Sequence, residues 1–85
     1  ITLKQNYPNP FNPITSIQYV VSSKTLVTLK VYDVLGNEIK TLVDDYKTAG
    51  SFQINFNADG LSSGIYFYKL QVDSFIETKK MILLR

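Results

Sequence analysis

Asp44 and Asp45 stand side by side in "DDYKTAG", the nearest this chain comes to a catalytic pair. Two carboxylates work as acid and base only where their surroundings push their pKa values apart. Nothing around these two supplies such an environment, so they read as solvated charge in a polar turn over residues 44–50. Asp33, Asp59 and Asp73 fall at the ends of strand-like segments and offer oxygens to a calcium ion, which takes 6–8 of them. Their spacing is not Asp-x-Asp-x-Asp, so capping of turns is the preferred reading. The chain has no histidine and no cysteine. That removes the usual zinc sites, the Ser–His and Cys–His nucleophile pairs, and haem ligation by either residue. No cofactor, metal or small-molecule substrate is expected.

Tyr66 and Tyr68 share one face of a strand, with Phe67 on the other. Exposed, they would make a stacking platform for sugars, to which Tyr32 is a further candidate. Small sandwiches also fill their cores with tyrosine, the hydroxyl reaching the rim, and the core reading is preferred. The eight lysines and one arginine are scattered among seven acids, with only Lys79 and Lys80 adjacent. Binding driven by counterion release wants a concentrated basic stripe, so nucleic acid is not an expected partner. The ending "KKMILLR", residues 79–85, combines cations with an apolar run. It is either a last strand packing two faces or a terminal tag whose edge a receptor pairs with by strand addition. Composition does not separate the two.

The elements that position these residues are strands. Ile17, Tyr19 and Val21 alternate with polar residues in 15–21. Val27, Leu29 and Val31 oppose Thr28, Lys30 and Tyr32 in 25–34. Such period-2 alternation marks strands with one face buried. Gly36-Asn37 signals a turn into "IKTLV", and Phe52, Ile54 and Phe56 share a face in 51–57. Residues 65–72 and 75–85 are joined at Asp73-Ser74 as a closing hairpin. Six or seven short strands and no helix predict an all-β fold, an antiparallel immunoglobulin-like β-sandwich. Lys79 and Lys80 lie on opposite faces of its last strand, so at least one meets solvent, and a lysine there suits an edge.

At 85 residues the chain makes one domain with a thin core. No apolar run reaches the ~20 residues of a membrane helix, and no segment has the form of a signal peptide. Met81 is the only methionine, so Ile1 is expected to follow a segment that is absent here.

"NYPNPFNP", residues 6–13, holds three prolines and three asparagines around two aromatics. Each proline fixes its own φ and drives the residue before it towards extended backbone. This lead-in, residues 1–13 with Pro8, Asn9, Pro10, Phe11, Asn12 and Pro13, is expected to be stiff, with Tyr7 and Phe11 as apolar pegs. It loses little entropy on ordering.

Four ordered segments resemble the C-terminal sorting domain of the bacterial type IX secretion system, its type A group. They are "YPNPFNP" at 7–13, "VYDVLGNEI" at 31–39 with Gly36, "SGIYFYKL" at 63–70 with Gly64 and Tyr66, and "TKKMILLR" at 78–85. The resemblance spans almost the whole chain. It implies a non-catalytic export signal at the end of a larger cargo protein, passing from the periplasm across the outer membrane to the cell surface or medium. The implied partners are the type IX translocon, a sortase-like peptidase that removes the signal and joins the cargo to an anionic lipopolysaccharide, and an N-terminal cargo domain in the same chain. Gly36 and Gly64 are expected to serve turns. Lys79, Lys80, Met81, Ile82, Leu83, Leu84 and Arg85 are the expected receptor-recognition residues. The alternatives are a carbohydrate-binding accessory module using Tyr32, Tyr66 or Tyr68, and an inert immunoglobulin-like spacer.

Overall fold

The computed structural model describes residues 1–85, which form seven strands and no helix. They are β1 (Thr2–Leu3), β2 (Ile14–Val21), β3 (Thr25–Tyr32), β4 (Glu38–Lys47), β5 (Gly50–Asn57), β6 (Gly64–Val72) and β7 (Phe75–Leu83). Two antiparallel sheets face each other, one ordered β1-β2-β5 and the other β4-β3-β6-β7. The shortest dimension is 16 Å, as two sheets about 10 Å apart require. The expected immunoglobulin-like sandwich is the fold observed.

Alternation along the strands accounts for the core. Ile17, Tyr19 and Val21 of β2, Val27, Leu29 and Val31 of β3, and Tyr66, Tyr68, Leu70 and Val72 of β6 are all buried. Met81 and Leu83 of β7 complete the same layer at 0% exposure. Each buried aliphatic side chain stabilises the fold by ~1.5–3 kcal/mol. Tyr19 stacks on Phe52 with ring centroids 5.4 Å apart, which closes the β2–β5 side.

Several boundaries differ from expectation. Asp44 and Asp45 are not in a turn: β4 continues through them to Lys47, and only Thr48 and Ala49 connect it to β5. The pairing of Asp44 with Thr28 and Asp45 with Val27 extends β4 despite their low strand propensity. At its other end β3 stops at Tyr32, because the Asp33 carboxylate pulls the next four residues into a loop. The short strand β1 was not anticipated; it pairs Thr2 with Val20 and Leu3 with Tyr19. Tyr7 is no peg, being 81% exposed, whereas Phe11 is 2% exposed and packs on Phe56 at 6.1 Å.

The outer strand β4 carries two irregularities that protect its edge. Leu29 pairs with Val43 and Lys30 with Thr41, so Leu42 bulges out of register, and Ile39 does likewise before Glu38. Bulges and charge on an edge strand discourage pairing with other chains.

Candidate functional site

The segments carrying the family resemblance come from opposite ends of the chain, and the fold brings them together. The lead-in runs along the edge of β7. Gln5 Nε2 donates to the Lys80 carbonyl at 2.8 Å, and the Ile82 N–H donates to Asn9 Oδ1 at 2.9 Å. The Phe11 N–H donates to the Ile82 carbonyl at 2.9 Å, and the Leu84 N–H to the Phe11 carbonyl at 3.0 Å. Phe11 and Leu83 thus form a parallel bridge. Proline supplies no N–H, so the chain bonds through Phe11, the residue between Pro10 and Asn12. Pro8, Pro10 and Pro13 each follow a cis peptide bond.

Beneath this junction lies a buried polar group that the sequence did not reveal. Asn6 is 2% exposed, and its N–H donates to the Tyr68 hydroxyl at 2.8 Å. The hydroxyl in turn donates to the Lys4 carbonyl at 2.7 Å. Asn6 Nδ2 reaches Thr15 Oγ1 at 3.0 Å and the Pro8 carbonyl at 3.1 Å, and the Thr15 hydroxyl donates to the same carbonyl at 2.8 Å. Every buried polar side-chain atom has a partner, as a stable interior demands. Burial pushes the Tyr68 hydroxyl up to about 12. No local signal marks Asn6: the residue two ahead is Pro8, which has no N–H to donate to the Asn6 side-chain oxygen, so the usual Asn turn does not form.

The C-terminal residues divide sharply. Met81 and Leu83 are buried side chains, and Ile82 is half-buried on the opposite face. Lys79 lies half-buried on the inward face and pairs with Glu77 at 3.3 Å, while Lys80 points to solvent. Leu84 is 60% exposed. Arg85 is committed to the fold: its Nε donates to the Leu61 carbonyl at 2.7 Å and its Nη2 to the Ala58 carbonyl at 2.8 Å. Its N–H donates to Ser63 Oγ at 3.0 Å. Tyr66 braces the same loop through a 2.7 Å bond from its hydroxyl to the Ser62 carbonyl. Gly64, at φ 149°, opens β6 from that loop.

Tyr66 is 8% exposed and Tyr68 0%, so neither offers a stacking face; both hold core positions. Of the three tyrosines considered for sugar, Tyr32 alone reaches the surface, half-buried with Lys69 Nζ 5.1 Å from its ring centroid. The acids are dispersed, and no three of them approach closely enough to hold a metal ion. Asp33 caps the loop after β3, and Asp73 accepts from the Thr25 hydroxyl at 3.2 Å in the β6–β7 turn. Asp33 is held below the usual carboxylate range, chiefly by the Asn37 N–H.

A seven-stranded antiparallel sandwich whose proline-rich lead-in is fastened along the edge of its C-terminal strand defines a class: a small all-β module. The chain belongs to the family of secretion system C-terminal sorting domains, that of the type IX system, whose model matches residues 5–84. The matched span covers the first three motif segments whole and the fourth up to Leu84. A comparison with individually curated proteins returns no match.

Proposed function

We propose that residues 1–85 are one non-catalytic sorting domain whose folded surface is read by the type IX apparatus. Membership of the family means export across the outer membrane, and a cargo protein in the same chain. The finer steps belong to this proposal: passage through the periplasm, recognition by the translocon, and removal of the domain by a sortase-like peptidase.

The junction of the lead-in with β7 carries this reading. It makes both ends of the chain part of one rigid body, so a receptor that touches Lys80 or Leu84 also senses that the sandwich has closed. Of the expected recognition residues, Lys80, Leu84, the outer face of Ile82 and the solvent side of Lys79 are the groups available to a partner. Met81 and Leu83 act through the fold, and Arg85 through its loop. By strand alternation the N–H and C=O groups of Ile76 and Thr78 face the same edge as Ile82, beyond the covered stretch.

The test is to fuse the chain to the C-terminus of a periplasmic reporter in a bacterium possessing the apparatus. The fusion is expected in the medium or at the cell surface, with the reporter alone left behind. The substitution Lys80→Glu, at an exposed position, is expected to reduce export while leaving thermal stability within a few degrees. Equal retention of the fusion and the reporter alone would refute the reading.

A further inference from the structure

The loop between β3 and β4 has a build that hairpin closure does not require. The Asp33 carboxylate accepts from the N–H groups of Leu35 and Asn37, each at 2.9 Å, and from Asn37 Nδ2 at 3.1 Å. The backbone adds Gly36 N–H to the Asp33 carbonyl at 3.1 Å and Asp33 N–H to the Asn37 carbonyl at 3.0 Å. Gly36 sits at φ 84°, where an L side chain is strained. The loop so fixed presents Val34 at 65% exposure and Leu35 at 82%. Turn tips normally carry polar residues, and two large aliphatics held outward on a stiff loop are expensive to leave in water.

The loop does not stand alone. Val34 and Asp33 together line two depressions at one end of the four-stranded sheet. One, of about 350 Å³, is shared with Tyr32, Phe67 and Lys69; the other, of about 400 Å³, with Gly64 and Ile65. Strand register extends the surface: Tyr32 lies opposite Phe67, Phe67 opposite Lys80, and Ile65 opposite Ile82. Ile65 is 40% exposed, and Tyr32, Phe67 and Ile82 are half-buried. The result is a group of apolar side chains, with lysines between them, at one end of the sheet.

Its charge is mixed with a cationic excess, Lys30, Lys69 and Lys80 against Asp33 and Glu38. Lys30 lies directly opposite Lys69, and like charges in that position destabilise a sheet. Lys30 is neutralised by Glu38 at 3.3 Å, whereas Lys69 rests on the Tyr32 ring with no carboxylate partner. Lys80 ends the adjoining row, also without one. The Asp33 carboxylate keeps its negative charge but is turned into its own loop by the hydrogen bonds from Leu35 and Asn37. A surface of exposed aliphatics beside a net cationic excess complements a protein surface with an apolar recess rimmed by carboxylates. A saccharide would stack on Tyr32 and pair with Lys69 but has no use for Val34 and Leu35.

We infer that Val34 and Leu35, with Tyr32, Phe67 and Lys69 behind them, form the docking surface for an acidic, apolar-pocketed protein partner in export. This rests on the sorting function and specifies the surface that performs it. Two sets of variants in the reporter fusion test it: Val34→Ser with Leu35→Ser, and Lys69→Glu. All are surface changes, so thermal denaturation of each purified variant should match the parent. The expected result is a fall in exported reporter of about tenfold or more for each, the scale of removing an interface anchor. Parental export of both variants, with the parent itself exported, would overturn this surface and leave the sorting function standing. Loss with Lys69→Glu but not with the serine pair would overturn it in favour of an anionic saccharide. Failure of the parent fusion to leave the cell would overturn the sorting function, and this surface with it.

Discussion

Asn9 Oδ1 accepts a hydrogen bond from the Ile82 N–H at 2.9 Å, across 73 residues of sequence. The carboxamide replaces the carbonyl that a neighbouring strand would supply, so the edge of β7 is satisfied where the prolines prevent regular pairing. Phe11 completes the contact two residues later through both its N–H and its carbonyl. The proline-rich motif and the C-terminal strand are therefore one structural unit.

The two aromatics of that motif should differ sharply under substitution. Phe11→Ala removes a ring that is 2% exposed and should destabilise the fold by ~3–5 kcal/mol. Tyr7→Ala removes a ring that is 81% exposed and should change stability by less than ~0.5 kcal/mol. Urea denaturation of the two variants checks both values.

Tyr68→Phe should destabilise by ~1–3 kcal/mol, because it leaves the buried Asn6 N–H and Lys4 carbonyl without their partner. The pH dependence has a definite sign. The hydroxyl is raised from 10.0 to about 12 in the folded chain, chiefly by burial. Its contribution is fully present below pH 10 and is lost as the pH rises through about 12. Alkaline unfolding of the parent should therefore steepen in that window, and Tyr68→Phe should flatten it.

Gly36→Ala should cost ~1–2 kcal/mol, since φ 84° lies in the left-handed region. Asp33→Ala should speed amide exchange at Leu35 and Asn37, the two N–H groups the carboxylate holds. Because hydrogen bonds lower the Asp33 pKa below 3.8, acid has the same effect. Protection should hold above that pH and fall as the pH drops through the folded-state value.

Arg85→Lys should loosen the loop from Ala58 to Ser63. The guanidinium fork reaches two carbonyls at once, those of Leu61 and Ala58, and an ammonium on a flexible stem does not reproduce that geometry. Faster exchange at the Leu61 N–H, which donates to the Ala58 carbonyl, is the expected readout, with the strands unaffected.

The sequence made the sandwich legible because its strands alternate cleanly. Ile17, Tyr19 and Val21 in β2 and Val27, Leu29 and Val31 in β3 announce their buried face by period alone. Alternation also placed Tyr66 and Tyr68 inside. It failed at Asp44 and Asp45, where cross-strand pairing with Thr28 and Val27 overrides local propensity. It failed at Tyr7 too, because a proline-fixed backbone has no period from which to read a buried side. The Asn6–Thr15–Tyr68 group was out of reach, since it depends on contacts between residues up to 62 positions apart. The motif residues at both ends were visible, but their meeting is a property of topology.

The central claim is that the export address is the closed sandwich and its surface, not a linear tag. Leu70→Asp places a carboxylate where the parent side chain is 0% exposed, which should unfold the domain while keeping all residues from 71 to 85. The measurement is the ratio of external to cell-retained reporter for the parent fusion and this variant. The account predicts export of the parent and retention of Leu70→Asp. Equal export of a variant shown by circular dichroism to be unfolded would contradict it.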